Sequence, residues 1–184
     1  TWQLPQIYKK SGIDYFVTEF IRVLSLILPK KIFYEYCPEL QQGSKTSSGT
    51  PVLVQLLGSD VEMMAENAAL AVELGAYGSD LNFGCPAKTV NNHDGGAALL
   101  KAPERLFKIV SAVRQRVPPS VSVSAKTRLG FDNKNYVTDI ATAAADAGAT
   151  WLTVHARTKT EGYKPPAYWE YITEMKNAVN VPVV

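Results

Sequence analysis

From residue 51 onward the chain alternates between two hydrophobic periods. Residues 51–58 (PVLVQLLG) are a short apolar run with β-branched side chains, the mark of a buried strand. Residues 60–74 then place Met63, Met64, Ala68, Ala71 and Val72 at helical spacing, with Asp60 set to cap the start and Gly75 the end. The pair of signals recurs, predicting strands over 79–84, 121–128 and 150–155 and helices over 103–117, 136–147 and 169–179. Pro103 suits a first helical turn, Pro118 and Pro119 stop that helix, and a further strand opens at Val181. Before residue 51 the pattern is less regular. It predicts a helical piece over 1–12, a short strand over 15–18, a helix over 19–28, an extended segment over 30–36 and a polar loop over 41–49.

Strict strand–helix alternation argues for an α/β fold with a parallel sheet and helices outside. An open doubly wound sheet and a (β/α)₈ barrel both satisfy it. No G-x-G-x-x-G follows any strand, so a dinucleotide fingerprint is absent. The polar residues favour the barrel. Strand side chains alternate between faces, so Val121, Val123 and Ala125 share one face while Ser122, Ser124, Lys126 and Arg128 share the other. By the same parity Gln55 lies opposite Val52, Val54 and Leu56. Asn82 lies opposite Leu81 and Phe83, and Thr153 and His155 lie opposite Leu152 and Val154.

Four strands therefore each place polar groups late, and unpartnered polar groups cost about 1–3 kcal/mol each when buried. Taken singly, a strand Gln, Asn or His is most often a satisfied core group, and a strand-end Lys a solvated edge. All four aimed one way match the C-terminal rim of a barrel, where active sites sit. The loop after Asn82 adds a thiol, Cys85, with Pro86 arguing against a helix start there. Lys88 is near enough in sequence to polarise that thiol, and Gly95 and Gly96 can present N–H groups or close a turn. Cys37 has no such setting and reads as structural. Cys85 and His93 are not spaced as a zinc pair, so no metal is expected.

Composition adds bounds. With 184 residues, 46% hydrophobic and 20% charged, the chain is globular. A net charge of +2 is too mild to argue for nucleic acid alone. Two cysteines fit a reducing, cytoplasmic setting. No membrane span is expected, because the longest apolar stretch, 20–28, contains Arg22 and stops at Pro29. The chain opens at Thr1 and stops in an apolar run at Val184, and a barrel takes about 250 residues, so a fragment is expected.

The segments 81–88 (LNFGCPAK), 95–101 (GGAALLK), 126–130 (KTRLG) and 154–158 (VHART), in that order, resemble the tRNA-dihydrouridine synthases. Residues 18–22 (TEFIR), 37–41 (CPELQ) and 54–58 (VQLLG) are similar to the bacterial C subtype, whose members modify uridine 16 of the tRNA D-loop. The resemblance implies one catalytic domain over 1–184, a partial (β/α)₈ TIM barrel covering about strands two to seven. The first strand, the last strand and a C-terminal helical domain would be absent. It implies FMN as cofactor, NADPH as reductant and tRNA as partner. Cys85 matches the family's general acid, which protonates C5 of uracil as hydride reaches C6. Gln55, Lys126 and His155 match positions that bind FMN. Asn82 matches a residue beside the target base, and Arg22 and Tyr163 match tRNA contacts of the subtype. The Asn92, His93 and Asp94 triplet departs from the smaller residues usual before the double glycine. A dihydroorotate dehydrogenase-like flavoenzyme, an inactive fragment that at most binds RNA, and an aldolase using Lys126 are the alternatives.

Overall fold

The computed structural model describes residues 12–184. Strand β1 (Phe16–Arg22) leads into helix α1 (Lys30–Tyr36) and a 3₁₀ turn (Pro38–Gln42). Strand β2 (Val52–Leu57) is followed by α2 (Val61–Glu73), and β3 (Gly78–Asn82) by the single turn α3 (Lys88–Asn91), a 3₁₀ turn (Gly96–Lys101) and α4 (Pro103–Arg116). Then come β4 (Ser122–Arg128), α5 (Val137–Asp146), β5 (Trp151–His155) and α6 (Glu170–Ala178).

All five strands are parallel, and their spatial order is β1-β2-β3-β4-β5. A doubly wound sheet reverses its order at a switch point. This sheet never does, which decides for an arc of the (β/α)₈ barrel. Beyond β5 the chain pairs on in the same sense through a parallel bridge between Leu152 and Val183, where the strand opening at Val181 was expected.

The expected split of faces holds. Val52, Val54, Leu56, Leu81, Phe83, Val123, Ala125 and Leu152 pack in one core with Ala68, Ile109, Val113, Ile140 and Met175 of the helices. Leu57, Cys85 and Val90 form a small second cluster with Phe20 on the other face.

Local signals explain the regular part. The Asp60 side chain accepts the Met63 N–H at 2.9 Å, capping α2. At its far end Gly75 takes φ +96°, and the Ala76 N–H donates to Ala71 O at 2.9 Å, a left-handed cap that returns the chain to β3. Replacing Asp60 by alanine is expected to cost about 1 kcal/mol, read as a lower denaturation midpoint with an unchanged slope.

Two expectations fail before residue 51. Residues 19–22 belong to β1, not to a helix over 19–28, and residues 30–36 are helical rather than extended. Pairing decides the first case: Phe20, Ile21 and Arg22 lie against Gln55, Leu56 and Leu57. The register slips by one residue between Val17 and Phe20, where the Thr18 hydroxyl accepts the Gln55 N–H at 3.0 Å in place of a ladder carbonyl. In the second case Pro29 stands at the N-cap, and Phe33 turns inward fully buried. The helix expected over 1–12 falls almost wholly outside the described residues. No helix among the described residues is long and apolar enough to cross a membrane.

Candidate active site

Parallel pairing stacks the inward polar residues in layers. Gln55 pairs with Asp80 and Asp80 with Ser124. One layer nearer the C-terminal rim Asn82 pairs with Lys126 and Lys126 with Thr153, and above them Arg128 pairs with His155. A cleft of about 250 Å³ opens at this rim. Asn82, Cys85, Lys126, Arg128, His155 and Tyr163 line it, together with Phe20.

A directed hydrogen-bond chain runs from the middle layer down into the lowest. Gly84 N–H donates to Asn82 Oδ1 (3.0 Å), Asn82 Nδ2 to Gln55 Oε1 (2.9 Å) and Gln55 Nε2 to Asp80 Oδ2 (2.6 Å). From the other side Ser124 Oγ donates to Asp80 Oδ1 at 2.6 Å. Gln55 thus belongs with the cleft residues through Asn82 rather than by lining the cleft. Asp80 escaped the sequence reading. The available signal was parity, since it stands two residues before Asn82 in a fully buried strand and so shares its face.

The charges here are perturbed by burial. Burial pushes the Asp80 carboxyl up, against the Ser124 and Gln55 donors and the Lys126 charge. Burial, and then the neighbouring Arg128, pulls the Lys126 ammonium down, while Asp80 supports its charge. His155 is lowered by burial and by Arg128, Lys126 and Arg157, which favours the neutral imidazole.

Cys85 lies three residues past the end of β3. Its carbonyl accepts the Ala97 N–H at 3.1 Å and Asn91 Nδ2 at 3.0 Å. Gly96 packs against it so closely that a Cβ there would lie 2.9 Å from the Cys85 oxygen, so the double glycine closes a turn rather than presenting donors. No helix begins until Lys88, as Pro86 implied, and Lys88 itself is exposed outside the cleft lining. Cys37, by contrast, is fully buried, and desolvation pushes its thiol up to about 12, in keeping with a structural role.

Arg128, given no role from sequence, ties the loop after β3 to the loop after β5. Its Nε donates to Gly84 O at 2.8 Å, and its Nη1 to Thr158 O at 3.2 Å and Gly162 O at 3.0 Å. Tyr163 is 72% exposed, stacks on His155 with centroids 5.7 Å apart and lies 5.3 Å from the Arg128 guanidinium. Arg22 is the one expected site residue outside this group. It lines an adjoining cleft of about 370 Å³ with His93, and its Nη2 donates to Thr89 O at 3.0 Å. Among the described residues no cluster of His, Cys, Asp or Glu could hold a metal ion.

The dihydrouridine synthase family model matches residues 4–184. The chain is 57% identical over 176 residues to the tRNA-dihydrouridine(16) synthase of Pseudomonas syringae, covering 96% of this chain and 56% of that protein. It is 54% identical over 171 residues to the protein of the same name from Shewanella oneidensis (93% and 54%) and 52% identical over 172 residues to that from Neisseria meningitidis serogroup B (94% and 52%). It spans about half the length of these curated relatives. A crystal structure described as a deoxyribose-phosphate aldolase from Coccidioides immitis matches 99% of this chain and 81% of its own, with a TM-score of 0.53 and 15% identity, a likeness of fold alone.

Proposed function

Because this chain belongs to the dihydrouridine synthase family, we propose that it supplies the catalytic rim of an enzyme reducing uridine to 5,6-dihydrouridine in tRNA, at position 16 of the D-loop. The observation that carries the proposal is the thiol of Cys85 in one cleft with Asn82, Lys126 and His155. Such a substrate places the enzyme in the cytoplasm.

The donor set fits a flavin. A half-buried ammonium, a neutral-leaning imidazole and a buried amide chain suit the electron-rich pyrimidine edge of an isoalloxazine. Lys126 and His155, with Gln55 reached through Asn82, would hold FMN there. FMN held there and reduced by NADPH would supply the hydride for C6 of uracil.

The protein's own part is orientation and proton delivery. Asn82 orients the base beside Cys85, and the Cys85 Sγ–H donates the proton to C5, leaving a thiolate close to the Lys126 and Arg128 charges. The base must leave its stack to reach a cleft of this size. The exposed Tyr163 ring offers a stacking face for the RNA and Arg22 a phosphate contact.

The test is incubation of the full-length enzyme that carries this chain with FMN, NADPH and unmodified tRNA, followed by mapping of dihydrouridine. Product at position 16, lost when that uridine is replaced by cytidine, is the expected result. Oxidation of dihydroorotate without any change in tRNA would overturn the proposal in favour of the other flavoenzyme class.

A further inference from the structure

We infer that Asp80 is a positioning residue of this site, the terminal acceptor that sets which way the amides of Gln55 and Asn82 face. The inference about catalysis rests on the proposed uridine reduction, while the geometry stands apart from it. An amide side chain is nearly symmetric in shape, so packing alone leaves two orientations close in energy. Here both ends of the chain are fixed. The Gly84 N–H can only donate, and the Asp80 carboxyl takes Gln55 Nε2 on one oxygen and the Ser124 hydroxyl on the other. Between them two amides satisfy every contact in one direction alone, each turning its oxygen toward Gly84 and its nitrogen toward Asp80.

Burial makes the direction firm. Gln55 is 7% exposed, Asp80 2% and Asn82 8%, and Ser124 is fully buried, so water does not readily replace a misdirected contact. With Asn82 Oδ1 committed to Gly84, Asn82 keeps one unspent N–H at a residue lining the cleft. That donor suits a carbonyl oxygen of a flat heterocycle. The chain also ends on the backbone next to Cys85, so the acceptor at Asp80 and the proton donor at Cys85 are set relative to each other.

Asp80→Asn is nearly isosteric but brings a donor into the chain. Facing Gln55, it opposes Nε2 and turns the Gln55 amide over, which sets two donors against each other next to Asn82 or Gly84. Facing Ser124, it leaves that hydroxyl proton without its acceptor.

The experiment uses the protein with its Gln and Asn side-chain amides labelled with ¹⁵N. The signals of both Gln55 and Asn82 are expected to shift in Asp80→Asn, although Asp80 touches only the first of them. An unmoved Asn82 signal overturns the inference. Asp80→Ala, which adds no donor, is the second variant should Asp80→Asn fail to fold, and the same criterion applies. In the kinetic arm Asp80→Asn lowers kcat/KM on tRNA by about tenfold to a hundredfold. Added to Asn82→Ala, it costs less than about twofold more. Full additivity of the two losses overturns the inference, because a merely structural carboxylate acts independently of Asn82. Failure of the uridine reading shows differently, as absence of dihydrouridine with the unaltered protein, whereas the amide spectrum needs neither substrate nor cofactor.

Discussion

With Cys85 replaced by alanine, NADPH still reduces the flavin while uridine reduction falls by about 10²–10⁴-fold. The two half-reactions are expected to separate because, in the proposed reaction, the thiol serves only the second. Stopped-flow measurement reads them independently, as bleaching of the flavin by NADPH and as its recovery on mixing with tRNA. The substitution is local. The Cys85 carbonyl keeps its Ala97 and Asn91 donors, Gly84 keeps its contact to Asn82, and alanine retains the Cβ and carbonyl oxygen against which Gly96 packs. A general loss of folding is therefore not expected to mimic the effect. Serine at the position keeps a hydroxyl, but a far weaker acid than a thiol, so it falls near alanine. Unchanged flavin recovery with tRNA would remove Cys85 as the proton donor.

Gly130→Ala is expected to destabilise the fold by about 3 kcal/mol or more, lowering the thermal midpoint by roughly 6–12 °C for a chain of this size. Gly130 takes φ +151°, a conformation L side chains rarely adopt, and a Cβ there would overlap the carbonyl oxygen of Asn133. The backbone must move, and it is tied on both sides. Gly130 O accepts the Lys159 N–H at 3.0 Å, and the neighbouring Leu129 N–H donates to Arg157 O at 3.1 Å. The disturbance therefore runs from the loop after β4 into the loop after β5 that carries Tyr163. A scanning calorimetry midpoint within 2 °C of the parent (about 1 kcal/mol or less) would contradict it.

Legibility differed sharply along the chain. From residue 51 the strands and the longer helices announce themselves by period, some also by a terminal signal such as Asp60 or Gly75, and they follow within a residue or two, whereas the short turns at Lys88–Asn91 and Gly96–Lys101 carry no such pattern. Before residue 51 the signals conflict. Phe20, Ile21, Val23 and Leu24 suit either period, and pairing with β2 settles them as strand and loop. Lys30–Tyr36 has no acidic first turn or side-chain cap to mark it as a helix. At the site, parity alone gathered Gln55, Asn82, Lys126, Arg128 and His155. The placing of Tyr163 against His155 rests on a long loop that no periodicity describes. Arg128 illustrates the same limit, since its partners are carbonyls of Gly84, Thr158 and Gly162, which carry no side-chain signature.

The unbroken order β1-β2-β3-β4-β5 bears on how such a chain is made. Each strand pairs with the one synthesised just before it, and α4 packs on α2, α5 on α4 and α6 on α5. At synthesis rates of about 5–20 residues per second, every new strand–helix unit leaves the ribosome with its docking partner already in place. Growth from the tunnel is therefore vectorial, and each new strand joins the edge made just before it.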